Sequence, residues 1–282
     1  MKKILVVLAS LLLVSGCSDA YANLKDGSTE VFKVGSKTVT KEDMYQLMKN
    51  SSGAYYVLND ATGIILDKEI EVSDAMRKEA EDTLTIYKDM YGESFTQMLE
   101  AYGFKDEEDY VNNAILKSKQ LTELVKKYGE DNFDAMVEKY APRKALVLST
   151  DTTDDADAAF TELKGGTEPE EVIGAYNLIG FGEDSIILSE DDYPAEVKAI
   201  LLSNTDDEWV KVPASDGNTY LIKVTESDPA NIKDEFLDEL AMNTEVQEAS
   251  DHFYFDKYGF TIYDKDLYDA FKDNYPNYLV QK

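Results

Sequence analysis

The apolar pattern of this 282-residue chain changes period twice, and that change constrains the fold more than any other feature. Across residues 40–142 apolar side chains recur at helical spacing. Across residues 143–224 they fall in short runs, and after Pro229 the helical spacing returns. Such a chain reads as α+β: a mostly helical domain formed from N- and C-terminal segments, with a small α+β domain of roughly eighty residues inserted, a size that folds independently.

The helical stretches carry their own punctuation. Residues 31–39 read as a short strand turning at Gly35. Thr40 is placed to cap a helix bearing Met44, Leu47 and Met48, with Glu42 and Asp43 in its first turn. Residues 54–68 form another helix. Ser73 or Asp74 caps one that Gly92 closes, and Ser94 caps a short one closed by Gly103. Asp106 opens a long helix, with Asp109 at the capping-box position and Gly129 at its end. Residues 133–140 make the last, stopped by Ala141-Pro142.

Within the insert, Ala145-Leu146-Val147-Leu148 reads as a buried strand and residues 154–163 as a helix ended by Gly165-Gly166. A brief helix follows at 169–175, then a turn-bearing strand at 178–182 and a short helix at 194–202. Residues 209–212 and 220–224 read as strands joined through Asp216-Gly217-Asn218, a hairpin signal. Beyond it, Ile232, Phe236, Leu240, Val246 and Phe253 place one long helix closed by Gly259. A short extended piece and a helix from about Asp266 finish the chain.

The N-terminus is of another kind. Lys2 and Lys3 precede an almost unbroken apolar run over residues 4–14, too short to span a bilayer. Val14-Ser15-Gly16-Cys17 then forms a lipobox ending in the only cysteine of the chain. Residues 1–16 read as a lipoprotein signal peptide, Cys17 as the lipid attachment site and residues 17–28 as a tether. Everything after Cys17 would then be an extracytoplasmic domain anchored by lipid to the cell membrane.

Composition excludes several function classes. Two lysines leave with the signal, so a net charge of −29 becomes −31, which disfavours nucleic acid as a partner. One histidine, His252, rules out a multi-histidine metal site, and no disulfide can form without Cys17. The acidic run at residues 151–157, with Glu162, has some calcium-loop spacing but Ala156 where that loop needs glycine. It reads as a solvated helix start, so no metal and no cofactor are expected. No phosphate-binding glycine loop and no Ser-His-Asp set occurs. The 19 tyrosines and 11 phenylalanines still supply a core. Many lie with methionine on the N-terminal helices, at Met44, Met48, Tyr55, Tyr56, Met76, Tyr87, Met90, Tyr91 and Met98, where they suit either a helical core with irregular gaps or a surface that accepts many sequences.

Four pieces resemble the PrsA-type foldase lipoproteins, relatives of the periplasmic chaperone SurA. They are the lipobox at Cys17, the stretch from Val34 to Glu42, the order of elements from Ala145 to Val224, and Tyr258-Gly259-Phe260-Thr261-Ile262-Tyr263-Asp264. The resemblance implies a SurA-like chaperone domain over residues 29–142 with 227–282 and a parvulin-like domain over 143–226. It implies folding assistance for newly exported, unfolded polypeptides, and it allows a homodimer.

The same resemblance exposes a departure. Active parvulins carry two histidines on neighbouring central strands and a cysteine or aspartate nearby. The corresponding positions here are Ala145, Tyr220 and the vicinity of Leu178. Isomerase activity needs no nucleophile: a pocket lowers the barrier of about 18–20 kcal/mol by binding the twisted amide. Without the histidines, Tyr220 is the one substitute donor, and an apolar peptide groove walled by Phe181, Ile186, Leu188, Tyr193 and Leu201 is the expected remnant. Three functions follow: a foldase or holdase that works without ATP, a peptidyl-prolyl isomerase with an atypical pocket, and a solute-binding lipoprotein. The last needs two α/β lobes of similar size, which the long helical N-terminal region opposes.

Overall fold

A computed structural model describes residues 24–205 and 207–281, and the signal peptide, Cys17 and most of the tether lie outside the described residues. The chain divides into two compact units. One comprises the described residues up to Leu121 together with those from Glu248 onward; the other is Thr122–Gln247.

In the first unit, the predicted strand with a turn is a two-stranded hairpin, β1 (Glu30–Val34) and β2 (Lys37–Thr40), reversing at Gly35, whose φ is 60°. Thr40 caps α1 (Lys41–Met48) in a full capping box: its hydroxyl accepts from the Asp43 amide, and the Asp43 carboxylate accepts from the Thr40 amide at 2.8 Å. The chain then does not break. A π turn over Lys49–Gly53 carries α1 directly into α2 (Ala54–Glu69). Ser51-Ser52-Gly53 is a poor helical sequence, and Gly53 leaves room for the Leu267 side chain, whose end would lie 2.6 Å from a Cβ there. Ser73 caps α3 (Asp74–Tyr91) through the Met76 amide, and Gly92 ends it at φ 52°.

Ser94 makes no side-chain cap for α4 (Phe95–Ala101), because it closes a 3-10 turn instead. Asp106 caps α5 (Glu107–Tyr110). Asp109 reaches the Lys105 amide, one residue short of a capping box. A second π turn, Val111–Ile115, leads into α6 (Leu116–Asp131). Gly129 does not end that helix. It lets Leu237 and Leu240 approach, with a Cβ there only 3.0 Å and 3.4 Å from their methyl carbons.

Thr122–Gln247 holds α7 (Phe133–Tyr140), stopped by Ala141 in the left-handed region, then β3 (Arg143–Thr150), α8 (Thr153–Lys164) and α9 (Pro169–Tyr176). Residues 178–182 are not a strand. They form a loop with one bridge, Ser149 to Ile179. The fourth strand is instead β4 (Ser185–Ile187), followed by α10 (Ala195–Ser203), β5 (Val210–Pro213), β6 (Thr219–Glu226) and α11 (Lys233–Met242). The sheet is antiparallel in the order β4-β3-β6-β5.

Period-two alternation gives this sheet two apolar faces. Ala145, Ile187, Ile222 and Val224 meet Val197 and Leu201 of α10. Leu148 and Leu221 meet Ala159, Leu163 and Val172 of α8 and α9. A third cluster joins Val125, Tyr140, Phe236 and Leu240 to Leu188, so the flanking helices pack on the end of β4.

The single long helix expected after Pro229 is two. Asn243, extended at ψ 119°, separates α11 from α12 (Thr244–Lys257), and its side-chain oxygen accepts from the Val246 amide. Back in the first unit, α13 (Lys265–Asn274) is capped by Asp264 and lays Phe271 against Ala54 and Ile262. Ala80, Val111, Ile115 and Leu116 form that unit's other cluster.

Candidate functional site

Two surfaces merit attention, one in each unit. On the sheet, β3 and β6 are central neighbours, and Ala145, Val147 and Ser149 share a face with Tyr220, Ile222 and Val224. Ser149, not Ala145, is the residue opposite Tyr220. The Tyr220 hydroxyl donates to Asp216 Oδ2 at 2.8 Å, and its ring meets Tyr193 edge-on at 6.4 Å. Burial, with the Asp216 carboxylate beside it, raises the Tyr220 hydroxyl above its ordinary pKa. Burial likewise raises Tyr193. The backbone amide of Asn218 and the Tyr220 hydroxyl hold Asp216 below its ordinary value. The tyrosine is thus committed as a donor within its own hairpin.

The expected groove residues do not converge. Tyr193 and Leu201 belong to the cluster under α10, with Leu201 fully buried. Ile186 and Leu188 point to the opposite side of β4, towards α7 and α11. Phe181 stands 83% exposed on the loop before β4. Leu178, near which a third polar group would be sought, is buried on the α8 and α9 face, away from Tyr220.

The second surface is a cleft of about 760 Å³ on the helical unit, within the range of peptide- and ligand-sized sites. It runs between α2 and the start of α6, with Phe104 at one side. Tyr55, Ile64 and Leu121 line it while remaining 53%, 57% and 38% exposed. Phe104 is held by edge-on packing with Tyr110 at 5.0 Å. Both π turns adjoin the cleft: Asn113 and Ala114 belong to one, and Tyr55 follows the other closely. Such turns are over-represented at functional sites. Of the aromatic and methionine residues singled out in the sequence, Tyr55 lines this cleft and Met48, Tyr56, Met90 and Tyr91 are exposed, whereas Met76 and Tyr87 pack inside. Ile64, Phe104 and Leu121 carried no signal, since isolated apolar residues on a helix or after a turn look like core.

The remaining candidates are structural. His252 is exposed on α12. In the acidic run, Asp154 and Asp155 open α8, Asp157 pairs with Lys211, and Glu162 accepts from the Tyr176 hydroxyl at 2.7 Å. Among the described residues no group of three potential metal ligands occurs, and no helix is long and apolar enough to cross a membrane.

A four-stranded antiparallel sheet with helices on both faces, interrupting a helical unit made from both chain ends, defines the class: an α+β fold with a small sheet domain inserted in a mostly helical one. The comparisons point the same way. The chain is 25% identical to foldase protein PrsA 2 of Bacillus cereus over 291 residues, covering 95% of each chain. It is 27% identical to foldase protein PrsA 1 of Listeria monocytogenes over 296 residues, covering 97% of this chain and 94% of the relative. The crystal structure of peptidylprolyl isomerase PrsA from Bacillus cereus shares the fold at a TM-score of 0.51 and 16% identity, over 88% of this chain and 98% of that one. No family model matches. The chain is thus similar to PrsA-type foldases along nearly its whole length.

Proposed function

We propose that this chain is a lipid-anchored, extracytoplasmic folding factor that binds unfolded exported polypeptides without ATP. The helical part, residues 29–142 with 227–282, holds the client, and residues 143–226 serve as a peptide-binding scaffold. The observation that carries this reading is the open cleft lined by exposed Tyr55, Ile64 and Leu121, in a chain whose relatives are named foldases. Cys17 carries the lipid, which keeps the protein at the surface where exported chains emerge. Against the isomerase alternative stands the Tyr220 hydroxyl, already donated to Asp216.

The test is aggregation of an unfolded client with residues 18–282 added at equimolar ratio and no nucleotide present. Suppression of light scattering is the expected result, and its absence overturns the reading. Labelled palmitate incorporated by the wild type and lost in Cys17→Ser is the expected result for the anchor.

A further inference from the structure

The cleft of the helical unit carries a charge pattern that selects its occupant. Three charged side chains line it: Asp60, Asp67 and Lys117. Lys117 is ion-paired with Asp67. Asp60, exposed on α2, makes no hydrogen bond or ion pair among the described residues. The cleft therefore offers apolar contact at Tyr55, Ile64 and Leu121 and one uncompensated carboxylate on the same wall. The surrounding field has the same sign, with 57 acidic residues against 28 basic ones. A metal ion needs several converging oxygen ligands, and no such group is present among the described residues.

We infer that this cleft takes an unfolded segment in which apolar side chains are interspersed with lysine or arginine, the apolar groups lying on Tyr55, Ile64 and Leu121 and the cation at Asp60. The inference rests on the holdase reading and gives it a substrate class. An acidic segment meets Asp60 and the general field with like charge, and among the described residues the one ammonium lining the cleft, Lys117, is already paired.

The experiment uses residues 18–282 and two labelled peptides of equal length and apolar content, one with lysines and one with glutamates at the same positions. Fluorescence anisotropy should show tighter binding of the lysine peptide, with the preference shrinking as salt is raised. Asp60→Asn should weaken the lysine peptide by about threefold and leave the glutamate peptide unchanged or slightly improved. Asn59→Trp, which fills the cleft from an exposed rim position, should weaken the lysine peptide further while helicity is retained. Equal binding of the two peptides, or an unchanged lysine peptide in both variants, overturns the inference. If aggregation is still suppressed in that case, the holdase reading stands and the substrate class falls. If suppression also fails, both fall.

Discussion

The Tyr220 hydroxyl and the Asp216 carboxylate, four residues apart across the tip of one hairpin, meet at 2.8 Å. That bond ties Tyr220, which the resemblance sets where a parvulin histidine would be expected, to its own turn. Tyr220→Phe is therefore expected to leave cis–trans exchange of a short X-Pro peptide, followed by NMR, unchanged within error. A hydroxyl acting as the essential donor would lose about a hundredfold or more, and such a loss would restore the isomerase reading.

Lys49 is the buried charge on which the helical unit depends. Its ammonium lies 3.3 Å from Asp264 and 2.6 Å from Asp266, in the π turn between α1 and α2. Burial pulls its pKa down, but the bonds to Asp266 and Asp264 outweigh this and hold it above the ordinary value. Lys49→Met removes the ammonium beside the buried Asp264 carboxylate, and should cost about 3–5 kcal/mol in urea unfolding. Lys49→Met combined with Asp264→Asn should recover a large part of that loss, since asparagine still caps α13. A single variant as stable as wild type would refute this account.

Asp251 gives the helical unit a pH dependence of unusual sign. Burial raises its pKa from 3.8 to about 6, with a smaller push from Glu248, while the Tyr278 hydroxyl bond opposes them. Tyr278 is itself pushed up to about 12, chiefly by burial. The folded state binds the Asp251 proton more tightly than the unfolded state. Its contribution is therefore full below about pH 4 and is lost as pH rises through 6. Asp251→Asn should raise stability at pH 7 by about 1–3 kcal/mol and by less at pH 5. Urea midpoints at the two pH values decide this, and a variant no more stable than wild type at pH 7 would contradict it.

Much of this fold was legible because the signals were local. Thr40, Ser73 and Asp106 each supply a cap whose partner amide lies three residues on, and periodicity placed the strands around Leu148 and Ile222. Two features depended on neighbours that a linear reading does not see. The π turn at Lys49–Gly53 is held by α13, through Asp264 and the close approach of Leu267. Gly129 looked like a helix end because the reason for its small size, Leu237 and Leu240, lies over a hundred residues away in sequence. Asn243 breaks a helix whose apolar spacing runs on uninterrupted. β4 escaped notice because three residues make no pattern.

The site was less legible than the fold. The order of apolar residues said nothing of which cluster each groove candidate would join. Leu188 and Leu201 turned to different clusters because β4 alternates and α10 covers one face only. The cleft beside α2 was hidden for the opposite reason, since Ile64 and Leu121 carry the spacing of core residues and remain exposed.

The loop before β4 shows how this insert can diverge. Ile179 is pinned to Ser149 by two backbone bonds of 2.8 Å, and Gly180 follows at φ 137°, where a Cβ would lie 2.6 Å from the Val147 carbonyl oxygen. Phe181, next in the chain, touches solvent over most of its surface. Substitution is thus forbidden at one position and nearly free at its neighbour. Sequence drift can change what the loop displays without loosening how it is held, so new binding preferences are open to this insert at little risk to its fold.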